Sequence, residues 1–151
     1  MSDVLANARD AIARGSKSFA LASRLFDAPT RDRAMLLYAW CRHTDDVIDG
    51  QVLGEGRNDD RRAPAERLAE VHWETERALA GNPTPGTPYE ALALVVQQTG
   101  MPARYPRDLI HGFRIDMEAR PFLTFDDTLT YCYHVAGCVG VMMAIVMGVK
   151  P

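Results

Sequence analysis

Cysteine, strand-forming pattern and surplus positive charge are all scarce in this chain. The three cysteines among 151 residues, Cys41, Cys132 and Cys138, are odd in number and form no CxxC pair. That argues against a disulfide framework and a cysteine zinc site, and the expected home is a reducing cytoplasm. No alternating Val/Ile/Thr run bounded by a hairpin turn is present, so a β architecture is not expected. Lys and Arg number 17 against 20 Asp and Glu, and the resulting charge of -3 leaves no basic surface for nucleic acid. No repeat, low-complexity tract, Ser/Cys nucleophile motif or Gly-rich nucleotide loop stands out. His43, His72, His111 and His134 fall at no metal-ligand spacing. Met1-Ser2-Asp3-Val4 begins no basic segment leading into an apolar run, so no secretory signal is expected.

What is present is the composition of one globular domain. Hydrophobic residues make up 47% and charged residues 25%, enough apolar material for a real core. At this length folding hides roughly two thirds of the unfolded surface.

Helical signals recur along the whole chain. Asp3 to Arg14 reads as a first helix stopping at Gly15. Ser16 or Ser18 opens a second, apolar at Phe19, Leu21, Ala22, Leu25 and Phe26. Thr30 is placed to cap a long third helix running to Gly50. Residues 51–63, with Gly54, Gly56 and the Asp59-Asp60-Arg61-Arg62 cluster, read as a solvated loop. Pro64 starts a helix to Ala80, and Thr87-Pro88-Tyr89-Glu90 spells a capping box opening a helix to Thr99. Pro106 opens another to Ala119, and Thr124 caps a last helix through Gly148. The uncharged run 135–149 is shorter than the roughly 20 residues a membrane span needs, so it reads as a buried core helix. Ala136, Gly140, Ala144 and Gly148 make a smooth stripe on it. Val135, Val139, Met143 and Met147 make the adjoining apolar one.

The chemistry concentrates in Tyr38-Ala39-Trp40-Cys41-Arg42-His43-Thr44-Asp45-Asp46-Val47-Ile48-Asp49. Residues three and four apart share a helix face, so Tyr38, Arg42, Asp45 and Asp49 form one polar stripe. Asp45 and Asp49 repel by a few tenths of a kcal/mol and sit at the helix end where negative charge is unfavourable. A divalent cation relieves both problems. Carboxylates without a Cys or His set favour magnesium, which typically bridges one or two carboxylates and substrate phosphates. Arg42 then supplies fixed positive charge and Tyr38 a hydroxyl. The alternative is a solvated acidic helix end. Gly15-Ser16-Lys17-Ser18 sits at a helix start, where free N–H groups form an anion site or the serines simply cap. Asp116 is an isolated charge on a mostly apolar helix.

Ser16-Lys17-Ser18-Phe19, the Tyr38–Asp49 stretch and Tyr131-Cys132-Tyr133-His134-Val135-Ala136-Gly137-Cys138-Val139-Gly140 together resemble the squalene/phytoene synthase family, and within it the bacterial 15-cis-phytoene-forming branch. The resemblance implies an all-α, isoprenoid-synthase-type helical bundle around a long apolar cavity. It implies head-to-head joining of two geranylgeranyl diphosphates through prephytoene diphosphate, with Mg2+ (or Mn2+) and no nicotinamide cofactor. On the matching positions, Asp45 and Asp49 are the first aspartate-rich metal motif. Gly15, Ser16, Lys17, Ser18, Tyr38 and Arg42 are diphosphate contacts, and Phe19, Val135, Val139 and Met143 are cavity wall. Asp116 and Tyr131 lie near the reacting centre.

The family's second aspartate-rich motif is missing from residues 1–151, which therefore read as the N-terminal part of a single synthase domain, apparently truncated. Alternatives are squalene or dehydrosqualene synthesis from farnesyl diphosphate, or a non-catalytic prenyl-diphosphate-binding or assembly protein on the same scaffold. Greasy substrates and products imply peripheral association with the inner membrane face and with other carotenoid enzymes.

Overall fold

The computed structural model describes residues 2–52, 62–118 and 121–150. Most of the expected 51–63 loop and the Ala119 helix end lie outside the described residues. Among those described, the fold is all helix: α1 Ser2–Gly15, α2 Lys17–Ala22, a 3₁₀ turn Ser23–Leu25, α3 Ala28–Asp49, α4 Pro64–Leu79, α5 Tyr89–Thr99 and α6 Arg104–Glu118, then α7 Phe125–Cys132, a π-helical segment Tyr133–Gly137 and α8 Cys138–Val146.

Helix α3 is the central element and packs against α1, α4, α5 and α8. It starts earlier than the sequence suggests. Asp27, not Thr30, is the N-cap, its carboxylate accepting the Thr30 N–H at 2.8 Å. Asp27 wins because the Pro29 ring needs no N–H partner in the first turn. The helix ends where Gly50 takes up φ 67, a left-handed cap that other residues resist. Its inner face places Ala34, Leu37 and Trp40 against Val71 of α4, Leu92 and Val95 of α5, and Met142 and Val146 of α8, all 2% exposed or less. Each large apolar side chain buried this way contributes roughly 1.5–3 kcal/mol.

Three other local expectations change. The second helix stops at Ala22 and gives way to the 3₁₀ turn, leaving Leu21 and Leu25 exposed rather than in the core. The capping box at Thr87 does not form. The Thr87 hydroxyl donates to the Thr84 carbonyl, and Glu90 accepts the Gly86 N–H at 2.9 Å, so Pro88 becomes the cap. The capping box at Thr124 does form, with Asp127 as its partner.

The largest departure is the C-terminal helix. It runs over Phe125–Val146, 22 residues that include an 18-residue stretch of mean hydropathy 1.7, long and apolar enough to cross a membrane. The helix follows the expected span from the Thr124 cap; its apolar part is longer than the 135–149 run because that run was counted from His134, which is neutral, rather than from Asp127. Nor is it a fully buried core helix, since only 22% of its apolar window is buried. Cys138, Met142, Ile145 and Val146 face the core, while Phe125 and Leu129 stand in solvent. The small-residue stripe is mostly on the open side, and Gly140 has no neighbour within 4 Å of a notional Cβ.

Candidate active site

The site grows from one face of α3 meeting α6 and the C-terminal helix. Tyr38, Cys41, Arg42 and Asp45 line one wall of a cleft of about 240 Å³; Leu109 and Phe113 of α6 and Val135 and Val139 form the other. Polar and apolar walls face each other across a single space.

The approach of the second wall depends on Gly112. A Cβ there would stand 2.9 Å from the His134 carbonyl group, so only glycine lets α6 lie against the backbone of the π segment. Two tyrosines fasten the same contact on either side. The Tyr133 hydroxyl donates to Asp108 at 2.8 Å and the Tyr131 hydroxyl to Asp116 at 2.9 Å. These bonds favour the neutral phenols, raising Tyr131 and pushing Tyr133 up to about 12. The π segment, a rare irregularity that recurs at functional sites, thus has one latch at its first residue, Tyr133, and another two residues before it.

On the polar wall, Arg42 Nη1 donates to Asp45 Oδ2 at 2.9 Å and lies 3.9 Å from Asp46 Oδ1. The Tyr38 hydroxyl, followed by the Asp45 and Asp46 carboxylates, holds the guanidinium above its usual range despite partial burial. Asp45 moves the other way for an acid. Burial and then the neighbouring Asp49 raise its carboxyl, and Arg42 only partly offsets them. The pair is therefore a charge arrangement short of positive charge. Two buried polar atoms also lack an aligned hydrogen-bond partner, Tyr38 Oη and Arg42 Nε. Groups that face each other without a well-aligned bond in a cleft are places where a ligand's oxygens gain the most.

Phe19 stacks on the Tyr38 ring with centroids 5.6 Å apart, bringing the α2 segment to the cleft's edge. Ser16 is the α2 N-cap, its Oγ accepting the Phe19 N–H at 3.3 Å. Lys17 and Ser18 are exposed and do not line the cleft, and Gly15 abuts the Tyr38 hydroxyl. Asp49 is exposed at the end of α3. Asp116 and Tyr131 pair with each other and are not among the residues lining this cleft. Met143, expected on the channel wall, packs against the core as Val139 does, but does not line this cleft.

Sequence reasoning missed Cys41, Leu109 and Phe113, whose apolar character looks like ordinary core until α6 is placed. It also missed the second side of Arg42. There a cavity of about 220 Å³ is lined by Asn7, Arg42, His43, Asp46 and Glu90, among others. The buried Asp46 faces Arg42 from that side. Burial lowers His43, with Asp46 and Glu70 opposing.

The donor set fits a hard cation. Asp45 and Asp49 offer carboxylate oxygens. Among the described residues no group of three or more His, Cys, Asp or Glu side chains could hold a metal alone. Such a pair suits magnesium, which keeps waters and shares its remaining positions with phosphate oxygens.

Comparison with known proteins bears on the family and the fold. The chain is 49% identical to a 15-cis-phytoene synthase of a Paracoccus species over 99% of its length and 45% identical to that of Pantoea ananas over 97%. It spans about half the length of these curated relatives, 49% and 48% respectively. Its fold matches a crystal structure of a ligand-bound dehydrosqualene synthase at TM-score 0.78 and 27% identity, covering 96% of this chain and 47% of that one. A squalene synthase from Alicyclobacillus acidocaldarius, at 23% identity and TM-score 0.81, shares the fold over 98% of this chain and 52% of its own. These neighbours have the isoprenoid-synthase helical fold. With the squalene/phytoene synthase model matched over residues 12–151, the chain belongs to the squalene/phytoene synthase family.

Proposed function

We propose that the protein carrying these residues is a prenyltransferase that joins two geranylgeranyl diphosphates head to head into 15-cis-phytoene, a step of carotenoid biosynthesis. The observation that carries the reading is the cleft in which the Arg42–Asp45 pair and the buried Tyr38 hydroxyl beside the Arg42 guanidinium face Val135 and Val139. One end suits a diphosphate and the other a prenyl chain. The relatives named phytoene synthase support the choice of product.

In this reading the allylic C–O bond of one substrate breaks and its electron pair leaves with diphosphate. The double bond of the second substrate attacks the allylic cation, and proton loss closes the cyclopropane of prephytoene diphosphate. A second ionisation, rearrangement and proton loss give phytoene, so no nicotinamide reductant is consumed. Magnesium (manganese as a substitute), when held by Asp45 and Asp49, supplies charge neutralisation to the departing diphosphate. Arg42 places fixed positive charge where negative charge develops, which is the effective form of electrostatic stabilisation. The Tyr38 hydroxyl donates to a phosphate oxygen. Leu109, Phe113, Val135 and Val139 keep water from the cation.

A second reading is dehydrosqualene or squalene synthesis from farnesyl diphosphate, favoured by the likeness to the dehydrosqualene synthase structure. The test is incubation of a protein of the relatives' length with magnesium and either diphosphate, followed by identification of the hydrocarbon. Phytoene from the C20 substrate supports the first reading. A C30 product from the C15 substrate replaces it with the second. Magnesium-dependent binding of both without product points to a binding or assembly protein. We place the protein peripherally at the cytoplasmic face of the membrane, beside other carotenoid enzymes. The Phe125–Val146 helix is apolar enough to span, yet it packs Met142, Ile145 and Val146 into the core.

A further inference from the structure

Gly15 has no conformational reason to be glycine. Gly50, Gly81, Gly86, Gly100 and Gly148 adopt positive φ, and Gly15, the last residue of α1, is not one of them. Alanine is the better helix former at a right-handed position. What the position shows instead is a close approach. A Cβ on Gly15 would collide with the Tyr38 hydroxyl and stand 3.4 Å from the ring carbon that bears it. The Tyr38 ring is stacked on Phe19 on one side, and its hydroxyl is buried without an aligned hydrogen-bond partner. The hydroxyl neighbours the Arg42 guanidinium, which can only donate, so its own proton is left without an acceptor. It is the arrangement expected of a donor kept for a ligand.

We propose that Gly15 is a positioning residue. Its missing side chain is the seat of the Tyr38 hydroxyl, and it acts on a bound diphosphate through that hydroxyl rather than by touching the anion. This rests on the reading of the cleft as a diphosphate site and revises the expectation that Gly15 is itself a contact. A methyl group at residue 15 pushes the Tyr38 hydroxyl out of place while leaving Arg42 and Asp45 intact.

The experiment is a double-mutant cycle on the full chain with Gly15→Ala, Tyr38→Phe and both. Binding of inorganic pyrophosphate with magnesium is measured by calorimetry and melting temperature by circular dichroism. Gly15→Ala should weaken pyrophosphate about two- to tenfold, the range of one hydrogen bond, matching Tyr38→Phe. The double variant should lose no more than either alone. In the Tyr38→Phe background Gly15→Ala should raise the melting temperature, because the collision is gone and the helix gains alanine. With Tyr38 present that gain should vanish or reverse. Unchanged affinity in Gly15→Ala, losses that multiply, or the same thermal gain in both backgrounds would overturn the proposal. If the unaltered chain does not bind magnesium pyrophosphate, the diphosphate reading fails, and the melting temperatures still decide whether Gly15 seats Tyr38.

Discussion

Replacing Asp45 with Asn separates the site's chemistry from the stability of its helix. In the fold, Asp45 accepts from Arg42 at 2.9 Å, with side chains 44% and 26% exposed. A pair this open contributes at most about 1 kcal/mol, and the Asn oxygen still accepts a hydrogen bond. Removing the charge also relieves the repulsion from Asp49, worth a few tenths of a kcal/mol. The net cost is below about 1 kcal/mol, a melting shift of no more than roughly 2–4 °C for a domain of this size. Metal affinity behaves differently. Groups that merely orient a metal ligand already cost about 10–100-fold when removed, so losing the carboxylate sets that range as a floor. Protons compete with the cation for the same oxygens. Burial and Asp49 hold the Asp45 carboxyl above its ordinary 3.8, so its ionised form weighs against the folded state. The native state then binds more protons than the unfolded one between 3.8 and the raised value. Stability therefore falls as pH rises through that window, and Asp45→Asn should flatten this part of the profile. Calorimetry with magnesium and pyrophosphate, thermal melts against pH, and turnover assayed in a protein of the relatives' length measure the three effects. Near-normal magnesium affinity or turnover in Asp45→Asn would refute a metal role for Asp45.

Two further substitutions test how the cleft is assembled. Gly112→Ala drives a Cβ into the His134 backbone, which cannot swing away as a side chain can, and should cost about 1–3 kcal/mol in chemical denaturation. A neutral result would mean that α6 and the π segment lie further apart than described. Thr124→Ala removes the α7 cap and should cost about 0.5–2 kcal/mol, with faster amide exchange confined to the first turn of α7.

The stripe Tyr38–Arg42–Asp45–Asp49 was legible because helix periodicity alone puts these residues on one face, and α3 is long enough to obey it. The all-α class was legible for the same reason. Local patterns failed where two partners competed for one group. Thr87 had a suitable glutamate three residues on, but its hydroxyl found the Thr84 carbonyl and Glu90 found Gly86. Asp116 and Tyr131 showed no sign of each other in the sequence, because their bond joins separate helices across the Gly112 approach. The apolar wall at Leu109 and Phe113 needed the same tertiary knowledge. Periodicity reports the face of a helix, not what stands opposite.

What stands opposite also limits the reaction. The cleft's 240 Å³ falls below the roughly 300–1,000 Å³ of pockets that enclose drug-sized ligands. It has room for a diphosphate head and the start of one prenyl chain, not for two long tails. Its walls come from α3, α6 and one side of the C-terminal helix, whose other side leaves Phe125 75% and Leu129 51% exposed. An allylic cation formed in so open a cleft meets water before it meets a second alkene. Residues 1–151 in isolation are therefore expected to bind magnesium pyrophosphate yet release no C40 hydrocarbon from geranylgeranyl diphosphate. A protein of the relatives' full length should release it. Equilibrium binding and product extraction on the two proteins side by side measure both. Phytoene from the isolated residues would mean that the described walls already shut out water, and the account of the cleft would have to be abandoned.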